Sequence, residues 1–351
     1  MKSGLRVAVV GATGAVGREM LQVLSDRHFP CASVRAFASP NSVGKLLDFG
    51  EDTLRVESLE SISDPSVFDL ALFSCGSERS LVWAPRFARS GCIVIDNSSA
   101  WRNHDKVPLV VPEVNAQDLD DASLGVIAVP NCSTIGLVQA IAPLHRNQPL
   151  RRVVVTTFQS VSGSGRKGIE ELDRQTRQLF NAQGTEPKVY PKRIAFNVLP
   201  LIGEPDVDGY TAEERKLMTE TLKILGDDQI QVIATATRVP VFVGHALSVV
   251  VEPVKAIDVD DARALIADHP GVLVTDAESV MNAPTPEDIA GEDLTLVGRV
   301  RRDPSSETGL ALWIVSDNLR KGAALNAVQI AETMIQRGLL APKHKGRQET
   351  Q

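Results

Sequence analysis

A protein thiol attacks carbon only as the thiolate, so the cysteines that matter are those whose surroundings favour negative charge. The chain carries four, Cys31, Cys75, Cys92 and Cys132. Cys75 and Cys92 sit beside the apolar runs "LALFS" and "IVID" and read as small core residues. Cys132 differs in position. In "PNCST", residues 130–134, it stands where the apolar run 124–129 ends and a helical pattern over 134–145 begins. A helix mouth offers unpaired N–H groups and the positive end of the dipole, and both lower a thiol's pKa. Such a nucleophile still needs a proton carrier and a grip on its substrate. His245, in "RVPVFVGHALSV", reads as a histidine exposed by a glycine turn between two strands, with Arg238 seven residues earlier. On these residues alone a structural histidine is the commoner reading. The cysteines show no CxxC spacing and the six histidines no HxxxH pair, so neither a metal site nor a disulfide framework is expected.

The elements that must position these groups fall into two textures. Over the first third, short β-branched runs (5–10, 34–38, 70–73, 93–95, 126–129) alternate with helical patterns (15–26, 81–90), the cadence of a mostly parallel sheet with helices on both faces. Beyond Cys132, "RRVVVTTFQSVSGSG" is a long strand ending in a glycine-rich loop, and strands at 231–237, 248–254, 294–300 and 310–316 come with fewer helices between them, as in an α+β domain. A last helix over 321–337, apolar at Leu325, Val328, Ile330 and Met334, is expected to return to the first domain. No repeat is evident.

Between the first strand and the first helix, "VAVVGATGAVGRE" places Gly11, Gly14 and Gly17. Glycine allows the tight turn and close backbone approach, while the helix start offers N–H groups to a pyrophosphate, so this entrance reads as a dinucleotide site. The second strand ends in "ASPNSVGK", without the acid that takes the ribose hydroxyls of NAD. Ser39, Asn41, Ser42 and Lys45 offer donors and one cation instead, which suits a 2′-phosphate and NADP; a polar loop with a solvated lysine fits them equally.

At 351 residues the chain is long enough for two cores. Its formal net charge of -7, with no basic run longer than Arg301-Arg302, works against nucleic-acid binding, and no stretch is long enough to cross a bilayer. Residues 5–17 could pass for the core of a signal peptide, but the glycine pattern and the missing A-x-A site argue otherwise, and a reducing, cytoplasmic setting is expected.

Together, "GATGAVG", "DNSSAWR", "VPLVVPEVN", "PNCST", "FQSVSGSG", "EERK", "RVPVFVGH" and "SDNLRKGAA", in this order, make the chain resemble the aspartate-semialdehyde dehydrogenase family over nearly its whole length to about residue 340. The resemblance implies an α/β fold: an N-terminal Rossmann-like doubly wound parallel sheet over 1–132, completed by a C-terminal helix over 319–340, and a second α+β catalytic and dimerisation domain over 133–318. It also implies NADPH-dependent reductive dephosphorylation of L-aspartyl-4-phosphate to L-aspartate 4-semialdehyde, a step toward lysine, methionine, threonine and isoleucine, by a homodimer.

Carried to matching positions, the resemblance makes Cys132 the nucleophile, His245 the general acid/base and Gln159 the residue that orients the acyl group. Arg238 would grip the substrate carboxylate, Glu213 and Lys216 its ammonium and phosphate, and Arg102 would complete the phosphate site. Without the resemblance, Glu213 and Lys216 read as a surface ion pair. NADP contacts are expected from Gly11, Thr13, Gly14, Ala15, Val16, Ser39, Asn41, Ser42, Ser162, Gly163 and Asn318. One departure stands out: relatives read "ASxRSxGK" in the second-strand loop, and this chain has Asn41 where that arginine stands. The competing expectations are an N-acetyl-glutamyl-phosphate reductase, which shares the chemistry on a longer substrate without a free ammonium, and a catalytically silent nucleotide-binding paralogue.

Overall fold

The computed structural model describes residues 4–275 and 279–343. The described residues form two compact units, the first within 4–112, 116–129 and 324–343, the second within 113–115, 130–275 and 279–323. Cys132 therefore belongs to the second.

The first unit opens with β1 (Leu5–Val10), α1 (Ala15–Asp26) and β2 (Cys31–Ala38). A small antiparallel pair, β3 (Leu46–Phe49) and β4 (Asp52–Arg55), precedes β5 (Glu57–Ser58), and β6 (Leu70–Phe73), α2 (Ser77–Arg89) and β7 (Ile93–Asp96) follow. After the short α3 (Pro112–Asn115), β8 (Val126–Ala128) completes a six-stranded sheet in the order β5-β2-β1-β6-β7-β8, parallel at every pairing. Residues 7–10 and 70–73 are fully buried. An unbroken apolar run in these central strands is what a sheet covered on both faces requires, because both sides of each strand must leave water. Each such Val or Leu contributes about 1.5–3 kcal/mol by burial.

The second unit begins with α4 (Cys132–Asn147), followed by β9 (Leu150–Gln159), α5 (Arg166–Phe180), α6 (Ala212–Leu225), β10 (Gln231–Arg238) and β11 (His245–Pro253). Next come α7 (Val259–Ala267), β12 (Val272–Val274), α8 (Pro286–Ile289), β13 (Thr295–Arg302) and β14 (Leu310–Ser316), giving a mixed sheet in the order β10-β9-β11-β14-β13-β12. Here the strands alternate. Val153, Val155, Leu247, Val249, Val251, Leu312 and Ile314 bury one face against α4, α6 and α7, while Thr156, Phe158, Ser248 and Val250 on the other face are only half-buried. A sheet with one covered face shows this period of two.

α5 is amphipathic: in "RKGIEELDRQTRQLF", Ile169, Leu172 and Leu179 pack with Val161, Ile194, Ala195 and Leu199, although the helical patterns marked in the sequence do not include this segment. Its buried side is Gly168, Glu171, Leu172 and Gln175. Glu171 accepts from the Lys188 and Val189 N–H groups, and Gln175 Oε1 from those of Ile194 and Ala195. Glu171 and Gln175 thus face inward beside Leu172 to satisfy a loop, a role that hydrophobic periodicity does not register.

The last helix, α9 (Leu325–Gln336), belongs to the first unit. It is preceded by a π-helical turn, Arg320–Ala324, so the α-helix proper starts four residues later than the pattern start at 321. Arg27 at the end of α1 makes two hydrogen bonds of 2.8 and 2.7 Å to Glu332 of α9.

Candidate active site

α4 starts at Cys132 itself, with Asn131 as its N-cap; the Asn131 Oδ1 accepts from the Ser133 N–H at 3.0 Å. The same side chain works from its other end, where Nδ2 donates to Glu213 Oε1 at 2.8 Å, and the Asn131 backbone N–H donates to Glu220 Oε2 at 2.6 Å. Glu213, Lys216 and Glu220 share one face of α6 because residues three and four apart are helix neighbours. α6 is fixed by a capping box between Thr211 and Glu214, and Glu214 Oε1 also accepts from the Ala236 N–H of β10.

The sheet delivers the other groups to one edge. β9 and β10 run parallel with Gln159 opposite Arg238 at their C-terminal ends, and antiparallel β11 begins at that same edge with His245. Gln159 Nε2 donates to Glu213 Oε1 at 3.2 Å, and Lys216 Nζ donates to Glu213 Oε2 at 3.2 Å. Arg238 Nη1 donates to the Ser160 carbonyl at 2.7 Å and lies 3.4 Å from Gln159 Oε1. The Ser160 N–H donates to His245 Nδ1 at 3.1 Å. Asn131, Glu213, Lys216, Gln159 and Arg238 are thereby joined side chain to side chain, and His245 joins them through the Ser160 backbone.

Burial would raise the pKa of the Glu213 carboxyl, but the Lys216 charge and the Asn131, Gln159 and Lys216 hydrogen bonds hold it below its ordinary value. It is a half-buried anion with a partner on each side, more enclosed than the surface ion pair that spacing alone suggests.

His245 corrects an expectation. It is fully buried, not exposed by the turn, because β11 is paired on both sides from its first residues and the Ser160–Gly163 segment covers the ring. Burial, and then the neighbouring Arg238 charge, push its pKa down to about 3. The ring is neutral near pH 7. Since Nδ1 accepts from Ser160, the proton of the neutral ring sits on Nε2, which has no hydrogen-bond partner among the described residues. Arg238 Nε is likewise buried and bare. A Cβ at Gly163 would stand 2.7 Å from Arg238 Nη1 and 3.4 Å from His245 Nε2, so only glycine leaves room beside both groups. Ser162 and Asn318 also surround this ring. The Asn318 Oδ1 accepts from the Ser160 and Ser162 hydroxyls and the Gly244 N–H at 3.0–3.1 Å, so both side chains spend their polar atoms inside the unit.

Burial pushes the other three thiols, Cys31, Cys75 and Cys92, up to about 12, where they stay protonated. Cys92 is a core residue as read; Cys75 is only half-buried.

In the first unit Arg102 is buried, with Nη2 donating to the Asn97 carbonyl at 2.8 Å. The "DNSSAWR" loop that carries it is held by Asp96, whose carboxylate accepts from the Ser98 N–H and hydroxyl at 2.8 Å and from the Ser80 hydroxyl. A cavity of about 340 Å³ lies over the C-terminal ends of β1, β2 and β6, where the strand order reverses across β1; Gly11, Thr13, Gly14, Ser39, Leu59 and Arg79 are among its lining. Gly11 has φ +88°, and a Cβ there would meet the Ser74 carbonyl at 2.2 Å. Gly14 caps α1 without a side-chain hydrogen bond, and the first turn, with Ala15 and Val16, carries no acid, so its N–H groups are open to an anion. The residues present therefore fit a dinucleotide. Asn41 is exposed and Ser42 buried in a 3-10 turn, Pro40–Ser42, and neither lines the cavity.

Among the described residues there is no group of three or more His, Cys, Asp or Glu arranged to hold a metal ion, and no helix is long and apolar enough to cross a membrane. Ser160, Glu220 and Arg79 carry no signal in the sequence, and Asn131 becomes a recognisable cap only because the helix starts at Cys132 and not at 134, where its pattern begins.

Comparison with known proteins agrees with this geometry. Residues 6–122 match the family described as semialdehyde dehydrogenase, NAD binding domain, and residues 141–321 match semialdehyde dehydrogenase, dimerisation domain. The aspartate-semialdehyde dehydrogenase of Aquifex aeolicus is 48% identical over 341 residues, covering 96% of this chain and 100% of that protein. That of Legionella pneumophila is 48% identical, covering 97% and 98%. The crystal structure of aspartate semialdehyde dehydrogenase II from Vibrio cholerae complexed with ASA superimposes with a TM-score of 0.92 at 44% identity, covering 95% of this chain and 98% of that one. The chain belongs to the aspartate-semialdehyde dehydrogenase family.

Proposed function

We propose that the chain catalyses the reversible, NADPH-dependent reductive dephosphorylation of L-aspartyl-4-phosphate to L-aspartate 4-semialdehyde. The observation that carries this reading is the convergence of Gln159, Arg238, His245, Glu213 and Lys216 on one sheet edge and one helix face, tied through Asn131 to the helix start that bears Cys132.

Cys132 Sγ attacks the acyl carbon, the carbon–oxygen bond to phosphate breaks, phosphate leaves, and the acyl group remains as a thioester. The first turn of α4 supports the thiolate with its dipole. Gln159 orients the acyl oxygen. Arg238 offers its planar fork to the α-carboxylate, and its bare Nε is a donor in place for that partner. Glu213, held ionised, takes the α-ammonium, while Lys216 is the cation of the second unit for phosphate.

His245 is poised as a donor, with its proton on Nε2. It can protonate the acyl oxygen as the carbon is reduced, and it recovers a proton when the thiohemiacetal collapses to aldehyde and thiolate. Taking the thiol proton of Cys132 at Nε2 requires the neutral ring first to exchange its tautomer, so the Ser160 contact bears on that step.

Gly11, Thr13, Gly14, Ala15 and Val16 would hold the pyrophosphate and Ser39 the adenosine ribose, with Ser162, Gly163 and Asn318 shaping the histidine pocket. The bound nicotinamide supplies the hydride that reduces the thioester. The half-buried face of the second sheet supports a homodimer through the second unit, which sedimentation velocity would check.

The test is phosphate-dependent reduction of NADP with aspartate semialdehyde, run beside N-acetyl-glutamate semialdehyde. Turnover of the first alone is expected. Turnover of the second alone would move the assignment to the longer substrate, and turnover of neither would make the chain a silent nucleotide binder.

A further inference from the structure

We propose that Arg79 is the residue that recognises the 2′-phosphate of NADP, taking over the task that Asn41 cannot perform. The inference rests on the dinucleotide reading of the first unit and goes beyond it by naming the specificity-determining group.

The first observation is position. Arg79 is the third residue of α2 and lines the cavity over the ends of β1, β2 and β6 together with Ser39, the residue just past β2. In a doubly wound sheet the adenosine ribose is read at that strand end. Leu59 supplies an apolar wall in the same cavity. The second is charge. Of the residues lining the cavity Arg79 alone is charged, the rest being glycine, apolar, hydroxyl or thiol side chains. The Cys75 thiol, pushed up to about 12 by burial, adds no anion.

The third is availability. Among the described residues, no hydrogen bond or ion pair engages the half-buried Arg79 guanidinium. Glu60, held below its ordinary pKa first by the Ser58 hydroxyl it accepts from at 2.6 Å and least by the Arg79 charge, makes no hydrogen bond to Arg79 and does not line the cavity. A guanidinium left unmatched in a partly enclosed, otherwise uncharged cavity is matched by a dianion that accepts two parallel N–H bonds, which a phosphate monoester does and a ribose hydroxyl does not. Asn41 is exposed and outside the lining, so it offers no competing contact.

The test is calorimetric titration of the full chain with 2′,5′-ADP and with 5′-ADP, for the unaltered protein and for Arg79→Ala and Arg79→Lys. The unaltered protein is expected to prefer 2′,5′-ADP. Arg79→Ala should lose roughly tenfold to a hundredfold in affinity for 2′,5′-ADP, the range for a charge-assisted pair, with 5′-ADP binding unchanged. Retained 5′-ADP binding also reports that the variant is folded. Arg79→Lys should fall between, since a point charge keeps the attraction and loses the fork. Equal losses for both ligands would place Arg79 on the pyrophosphate and overturn the proposal, as would no loss at all. Equal affinities in the unaltered protein would overturn it while leaving a dinucleotide site intact, and binding of neither nucleotide would take down the dinucleotide reading itself.

Discussion

The cavity of the first unit is walled by glycines, strand ends and one arginine, whereas the network of the second, which reaches the helix start bearing Cys132 through Asn131, is built from carboxylate, amide, imidazole and guanidinium groups carried on α6, β9, β10 and β11. The first kind of site works through what is missing: a Cβ at Gly11 would collide with the Ser74 carbonyl, and open N–H groups at the start of α1 await an anion. The second works through what is already matched, since Glu213 is held ionised by three partners before any substrate arrives. A backbone cradle tolerates side-chain change around it. A shared network does not, because removing one member leaves another buried and unpaired.

The largest expected effect breaks the second site outright. Cys132→Ala should lower phosphate-dependent turnover on the order of 10⁴-fold or more, with the melting temperature little changed, since the other three thiols are protonated and buried to varying degrees. Substantial activity in that variant would remove Cys132 from the chemistry. Next comes Gly163→Ala, whose new methyl would press within 2.7 Å of Arg238 Nη1. Displacing a positioned group by a fraction of an ångström to one ångström costs on the order of 10²-fold, so kcat/KM should drop by about that much. Arg238→Leu should cost roughly 10 to 150-fold in kcat/KM, the equivalent of 1.5–3 kcal/mol for a charge-assisted hydrogen bond. If either variant kept unaltered kinetics with aspartate semialdehyde, the cradle around His245 and Arg238 would not be where the substrate is held.

The same contrast explains what the residues disclosed before the structure. A backbone cradle is local, so "GATGAVG" between a strand and a helix could be read from a few neighbouring residues, and β1, α1 and β6 fall at the residues that periodicity marked. The convergent site is not local. Gln159 and Arg238 meet only because β9 and β10 are adjacent and in register, which pattern reasoning does not provide; the resemblance brought them together instead. The exposure assigned to His245 came from Gly244 before it, but strand pairing on both sides decided its burial. The apolar stripe of helix α5, Ile169, Leu172 and Leu179, is broken by Glu171 and Gln175, whose bonds to a loop only the structure shows. Arg79, in the first turn of a helix, shows no ligand role in sequence; the cavity beside it supplies that sign.

The depressed pKa of His245 gives a pH test that sharpens the comparison, because the dinucleotide cavity contains no such group. Below its ordinary value of 6.5 the unfolded chain takes up a proton that the folded chain refuses until about pH 3, so stability falls as pH drops through that window. His145 and His269, also held down by burial, act in the same direction. His245→Gln cannot take up that proton, so its melting temperature should fall less steeply between pH 6.5 and 5, above the range where carboxylates titrate. Parallel curves for the two proteins would mean that His245 is not held neutral by the fold.

The smallest effect is expected at Asn41, and it separates the two routes to a 2′-phosphate. Asn41 is exposed on a short turn and does not line the cavity, whereas Arg79 does. An arginine introduced at Asn41 would be a solvent-screened cation at the rim, and exposed charge pairs are worth about 0.2–1 kcal/mol. Asn41→Arg should therefore raise the preference for 2′,5′-ADP over 5′-ADP by roughly fivefold at most. The gain should shrink further at high salt, where exposed charges are screened while a partly enclosed one is less affected. A gain well above tenfold that survives salt would show that the second-strand turn closes over the ribose when ligand binds. Cofactor choice would then be set by that turn, and the first unit would read its ligand by convergent side chains much as the second does.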